Sequence, residues 1–142
     1  MMLYAQPYNG TEGFYFNDLE QYQTRAKDIE YELQRINCED YPFEPSQCNI
    51  ELFFELIDEL TLDELVKCRF LVSQGYGVGQ LIEELDNWQC FEGTLQEYAE
   101  ELIQDIELTP MLERYFDIER YTHDIECEGL HTEFEGFIFY EG

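Results

Sequence analysis

Carboxylates are the reactive groups this sequence offers in quantity. Of its 142 residues, 33 are Asp or Glu and 7 are Lys or Arg, for a formal net charge of −26. Three kinds of chemistry use such groups. A pair of carboxylates can work as acid and base on a glycosidic bond. A cage of oxygens can hold a hard cation. A distributed set of fixed anions can meet a cationic surface. The first needs one particular pair, and spacing nominates none among 33. The second has a recognisable loop, D-x-[DN]-x-[DN]-G, which is absent here. The third needs acids spread through folded segments rather than gathered in a tail. Residues 1–71 hold 15 of them and residues 72–142 hold 18, so every part of the chain is acidic.

The other reactive residue types form no constellation. His123 and His131 are the only histidines. H-E-x-x-H is missing, and no His spacing suits a zinc site, so no metal site is expected. Cys38, Cys48, Cys68, Cys90 and Cys127 are odd in number and contain no C-x-x-C, which reads as unpaired thiols of a cytosolic protein. Gly75-Tyr76-Gly77-Val78-Gly79 has no preceding strand and no following G-K-[ST], so it reads as a turn between helices and not a phosphate cradle. Ser46 and Ser73 have no partner histidine in a catalytic setting, and Trp88 with Phe91 reads as core packing. No enzyme activity and no cofactor are expected.

Composition bounds the rest. A hydrophobic fraction of 44% and an aromatic fraction of 16% are enough for a packed core. So acidic a folded chain repels itself and repels phosphate, which excludes nucleic acid and anionic membranes as partners. No apolar stretch approaches a membrane span, and Met1 to Gly10 lacks the basic and apolar regions of a signal peptide.

The elements that carry the acids are legible in outline as an elongated α+β chain of small subdomains. Met2–Tyr8 and Phe14–Phe16 read as strands around Asn9-Gly10. Leu19, Tyr22, Ala26, Ile29, Leu33 and Ile36 recur at steps of three and four and predict one long helix, with Asp18, Arg25, Lys27, Asp28, Glu32 and Arg35 outward. Residues 38–49, with Pro42 and Pro45, read as a linker. Asn49 caps a helix with Phe53, Phe54, Ile57 and Leu60 inward. Thr61-x-x-Glu64 and Thr94-x-x-Glu97 have the form of capping boxes. Gly75 ends the helix after Thr61, and Leu81, Ile82 and Leu85 mark a short one. The helix from Thr94 turns Leu95, Tyr98, Leu102 and Ile106 inward. Pro110 opens another short helix, Asp117 to Ile125 is helical, and residues 131–140 form a hairpin about Glu135-Gly136. The expected subdomains are 1–45, an α+β unit with a small sheet and the long helix; 46–92, helical; and 93–142, helices with the hairpin.

Acids four apart on a helix are separated by about 6 Å along its axis, close to the spacing of phosphates on one strand. At one charge per ~1.7 Å of duplex, 26 charges match roughly 44 Å, or about 13 base pairs. Asp58, Glu59, Asp63, Glu64, Glu83, Glu84, Asp86, Glu97, Glu100, Glu101, Asp105 and Glu107 turned outward would make a phosphate-like stripe.

One segment resembles a known family. Tyr115-Phe116-Asp117-Ile118-Glu119-Arg120-Tyr121-Thr122-His123-Asp124-Ile125-Glu126-Cys127-Glu128-Gly129 is similar to the antirestriction motif of the ArdA proteins, with Asp117, Tyr121, Asp124, Glu126 and Gly129 in place. Thr122 and His123 stand where Ala or Gly and Arg are usual, and Ile125 stands for Leu. The likeness is good over about residues 94–142, weaker over 48–93 and poor over 1–47. It implies a DNA mimic of phages or conjugative elements, acting in the bacterial cytoplasm as an acidic, curved homodimer. Such a mimic occupies the DNA groove of a type I restriction–modification enzyme, on its methyltransferase core. An acidic binding module for another basic DNA-binding or antiviral protein is the alternative.

Overall fold

The computed structural model describes residues 1–104, 106 and 109–142. The chain is α+β and folds as two compact units, Met1–Ile82 and Glu83–Gly142.

In the first unit, strands β1 (Met2–Pro7) and β2 (Phe14–Phe16) pair antiparallel, with Leu3 opposite Phe16 and Ala5 opposite Phe14. Asn9 Oδ1 fixes their connection by accepting from Thr11 N at 3.1 Å. Helix α1 follows, but it spans only Leu19–Arg25, capped by the Asp18 carboxylate on Gln21 N at 2.7 Å. The single long helix expected over residues 19–36 is therefore corrected. Ala26 already has an extended backbone, and Tyr31–Asn37 is a strand, β3, antiparallel to the other side of β1. The reason is that Leu33 falls on two periods, the helical one with Ile29 and Ile36 and the alternating one with Tyr31. Tyr31 and Leu33 alternate with Glu32 and Gln34, and in the fold both apolar residues are buried. Without β3, one edge of β1 would present unpaired backbone groups beside its buried Leu3 and Ala5. Pairing that edge outweighs a modest helical preference.

The sheet, in order β2-β1-β3, turns Leu3, Ala5, Phe14, Phe16, Tyr31 and Leu33 to one side. Rings fill that side. Phe16 lies 5.1 Å from Tyr22 of α1 and 6.1 Å from Phe54 of helix α2 (Ile50–Glu59), centroid to centroid. Residues 38–49 are not a free linker, because this segment is pinned to both sides. Gln47 Oε1 accepts from Tyr31 N at 2.8 Å, and Gln47 Nε2 donates to the Tyr22 hydroxyl and the Ile29 carbonyl, each at 3.2 Å. The Tyr41 ring lies under two guanidinium groups, Arg35 at 3.6 Å and Arg69 at 4.7 Å. Phe43 packs edge-on against Phe53 of α2. A boundary at residue 45 would cut through this packing. Asn49 does precede α2, yet its side chain accepts from Ser46 N at 2.7 Å instead of capping the helix.

Helix α3 (Leu62–Ser73) opens with the expected capping box. Thr61 Oγ1 accepts from Glu64 N at 3.3 Å, and Glu64 Oε1 accepts from Thr61 N at 3.2 Å. Gly75, with φ of +98°, follows its end, and the short helix α4 (Leu81–Leu85) leads into the second unit.

The second unit holds a strand that periodicity did not reveal, β4 (Trp88–Glu92). It pairs antiparallel with β6 (Phe137–Glu141), which pairs in turn with β5 (Thr132–Phe134) across the expected Glu135-Gly136 turn. Both turn residues have positive φ, +48° and +83°, matching the right-handed twist of the hairpin. Helix α5 (Leu95–Gln104) starts on a second capping box, with Glu97 N to Thr94 Oγ1 and Thr94 N to Glu97 Oε1 both at 3.2 Å. Leu95, Tyr98 and Ala99 of α5, Ile125 of helix α7 (Ile118–Glu128) and Ile138 of β6 form the core, with Phe91, Leu102 and Tyr121 packed around it. Ile106, expected inward, is exposed. Between them lies α6 (Pro110–Tyr115), with Pro110 in its first turn and Thr109 capping it. Among the described residues, no helix is long and apolar enough to cross a membrane.

Candidate functional site

The disposition of the acids is the first fact about any site. Among the described residues no Asp or Glu is buried; Glu64 and Glu84 are half-buried and the others are exposed. The fold thus spends no carboxylate in a core, where each would need a partner.

In the first unit α2 is sharply two-faced. Ile50, Phe53, Phe54 and Leu56 point inward, while Glu51, Glu55, Asp58 and Glu59 lie outward. Glu51 and Glu55, four apart, extend the stripe begun by Asp58 and Glu59, and that same spacing makes them legible from sequence. Asp63 is exposed at the start of α3. Glu64 serves the capping box, which holds its carboxylate to the helix start.

In the second unit, Glu83 and Asp86 are exposed, and Glu84 Oε2 accepts from Asn87 Nδ2 at 3.5 Å. On α5, Glu100 and Glu101 lie outward, while Glu97 is occupied by its capping box. Asp105 and Glu107, expected in the same stripe, lie outside the described residues.

The cations do little to offset this surface. Arg25 lies over the Phe14 ring and donates to the Tyr15 carbonyl at 3.2 Å. Arg69 donates to the Tyr41 carbonyl. Arg35 makes a two-pronged pair with Glu44, Nη2 to Oε1 at 2.6 Å and Nε to Oε2 at 3.0 Å. That hydrogen-bonded pairing holds the Glu44 carboxyl below its ordinary range. These three arginines brace rings and backbone within the first unit.

The residues of the antirestriction-like motif coincide with α7. Asp117 is its N-cap, accepting from Arg120 N at 3.1 Å. Tyr121 lies half-buried against the core, its ring 5.6 Å from Phe116. Asp124 and Glu126 are exposed. Gly129 closes the helix in the left-handed region, at φ +70° with open space around its α-carbon. A side chain there meets no neighbour, so Gly129→Ala is strained by backbone conformation alone. It is expected to cost about 1 kcal/mol, and Gly129→Asn less, in thermal unfolding of the purified variants.

A concavity of about 580 Å³ lies between α5, α7 and β5, lined by Thr94, Thr122, Glu126, His131 and Glu133 among others. Some of its polar groups are already used, while His131 Nδ1 is buried without a hydrogen-bond partner. Glu133 Oε1 accepts from Leu95 N at 3.3 Å, and His131 Nε2 is 3.1 Å from the Tyr98 hydroxyl. The His131 ring lies tilted against both Tyr98 and Tyr140, and burial raises the pKa of Tyr98. The ring is thus held by two tyrosines, with Nε2 on one of their hydroxyls.

No protein-family model matches the chain, and a search of curated proteins finds no match either. The likeness to the antirestriction motif rests on residues 115–129 themselves.

Proposed function

We propose that this protein is a DNA mimic that inhibits a type I restriction–modification enzyme by occupying the DNA groove of its methyltransferase core. One observation carries the reading: among the described residues, no carboxylate is buried in either unit. A chain of net charge −26 that keeps the acids of its described helices, strands and loops at the surface tolerates self-repulsion in order to present fixed anions. The carboxylates stand in for phosphates against Arg and Lys of the groove, and their combined field steers the encounter. Catalysis plays no part. The motif likeness of α7 is what directs the proposal to a restriction enzyme and to a homodimer as the active form.

The test is a titration of the protein into a complex of a type I methyltransferase core with labelled target duplex, at two salt concentrations. Displacement is expected, with the protein's affinity for the core weaker at the higher salt. A duplex that stays bound at every concentration of folded protein would overturn the type I assignment. Recovery of a different basic partner from host lysate would then favour the wider reading of an acidic inhibitor.

A further inference from the structure

Helix α7 carries a second feature that the acidic surface does not use. Its inner face is Ile118, Tyr121 and Ile125; His123 and Cys127, four residues apart, are both exposed on the outer face. Their side chains converge, with His123 Nε2 3.5 Å from Cys127 Sγ. In a tetrahedral zinc site, Zn–S near 2.3 Å and Zn–N near 2.0–2.1 Å place the sulfur and nitrogen about 3.5 Å apart. The helix therefore already holds one edge of the tetrahedron. The sequence suggested no metal site because its histidine and cysteine spacings, each taken alone, match no metal motif.

We propose that His123 and Cys127 form a two-point chelate for a thiophilic divalent cation of the zinc type, with water in the remaining positions. Binding displaces the thiol proton to solvent and forms the metal–sulfur and metal–nitrogen bonds. Two protein ligands make a weak site, and among the described residues no three donor side chains are grouped around one point. The acids of the same helix, Glu119, Asp124, Glu126 and Glu128, raise the local concentration of cations without supplying soft ligands. The buried thiols do not compete: desolvation, followed by the charge of Glu64, pushes Cys68 up to about 12, and burial raises Cys38 as well. A bound divalent ion would cancel negative charge on the helix that carries the motif-like residues. The site itself stands independently of the DNA-mimic reading.

Cobalt(II) is the probe, because a thiolate ligand gives it a near-ultraviolet charge-transfer band that carboxylates do not. Reduced full-length protein is titrated with cobalt chloride. The band is expected in wild type and in Cys48→Ser, which removes the other exposed thiol. Cys127→Ser should abolish it, and His123→Ala should weaken apparent affinity roughly tenfold or more. Zinc should bleach the band by competition. Both substituted side chains are exposed, so circular dichroism should show unchanged folding. No band in wild type, a band that survives Cys127→Ser, or one indifferent to His123→Ala would overturn the chelate.

Discussion

Neutralising the exposed acids a few at a time should erode binding to the methyltransferase core gradually while raising thermal stability. Take Asp58, Glu59, Glu100, Glu101, Asp124 and Glu128, all exposed. Each single change to Asn or Gln removes one ion pair at a solvated interface, worth about 0.2–1 kcal/mol, or up to about fivefold in affinity. Changing all six should cost roughly 1–6 kcal/mol if the contributions add. Much of the loss should appear in the association rate, because the field that steers encounter is the sum of all the charges. Stability should move the other way, since each neutralisation relieves repulsion in a chain of net charge −26. These opposite signs separate lost mimicry from damaged folding. Surface plasmon resonance and thermal melts on the same variants measure both. One substitution that abolished binding by itself would sink the distributed-charge account and point to a local site.

Much of this was legible in the residues, and the reasons differ from element to element. Thr61 with Glu64 and Thr94 with Glu97 announced two helix starts because a capping box is a local, reciprocal pair of hydrogen bonds. The Glu135-Gly136 hairpin was equally local. β3 was missed because Leu33 and Ile36 continue the helical spacing of α1 while only Tyr31 and Leu33 are buried in the strand, and β1, distant in sequence, decides between the two. β4 is five residues long without clean alternation, and its partner β6 lies at the other end of the unit. The exposure of the acids followed from the cost of burying a charge. Two of the nominated acids, Glu64 and Glu97, turned out to be tied to helix starts, which the capping boxes themselves implied. Spacing also indicated which face of each helix the core would claim, as with Phe53 and Phe54 of α2 and Leu95 and Tyr98 of α5. On α7 that choice is what puts His123 and Cys127 outward together, and no count of acids could have given it.

The largest stability effects should come from two apolar side chains, one in each unit. Phe53 of α2 is fully buried, with the rings of Phe43 and Phe54 at 5.8 and 5.5 Å. Removing its ring should cost about 3–5 kcal/mol, from lost transfer energy and from a cavity that the flanking rings cannot close without leaving their rotamers. Ile138 is also fully buried, in β6 against Leu95, Tyr98, Ala99 and Ile125, and its truncation should cost about 2–5 kcal/mol. Either value is a large part of the 5–15 kcal/mol typical of a domain. The neighbours of Phe53 all belong to the first unit and those of Ile138 to the second. Native-state hydrogen exchange should therefore find Phe53→Ala lowering protection chiefly in β1 to β3, and Ile138→Ala chiefly in β4 to β6. Equal loss in both sheets from either change would mean that the two cores open as one. If the losses stay local, each unit holds its own helical acids in place, because a carboxylate on a helix keeps its position only while the apolar face of that helix stays packed.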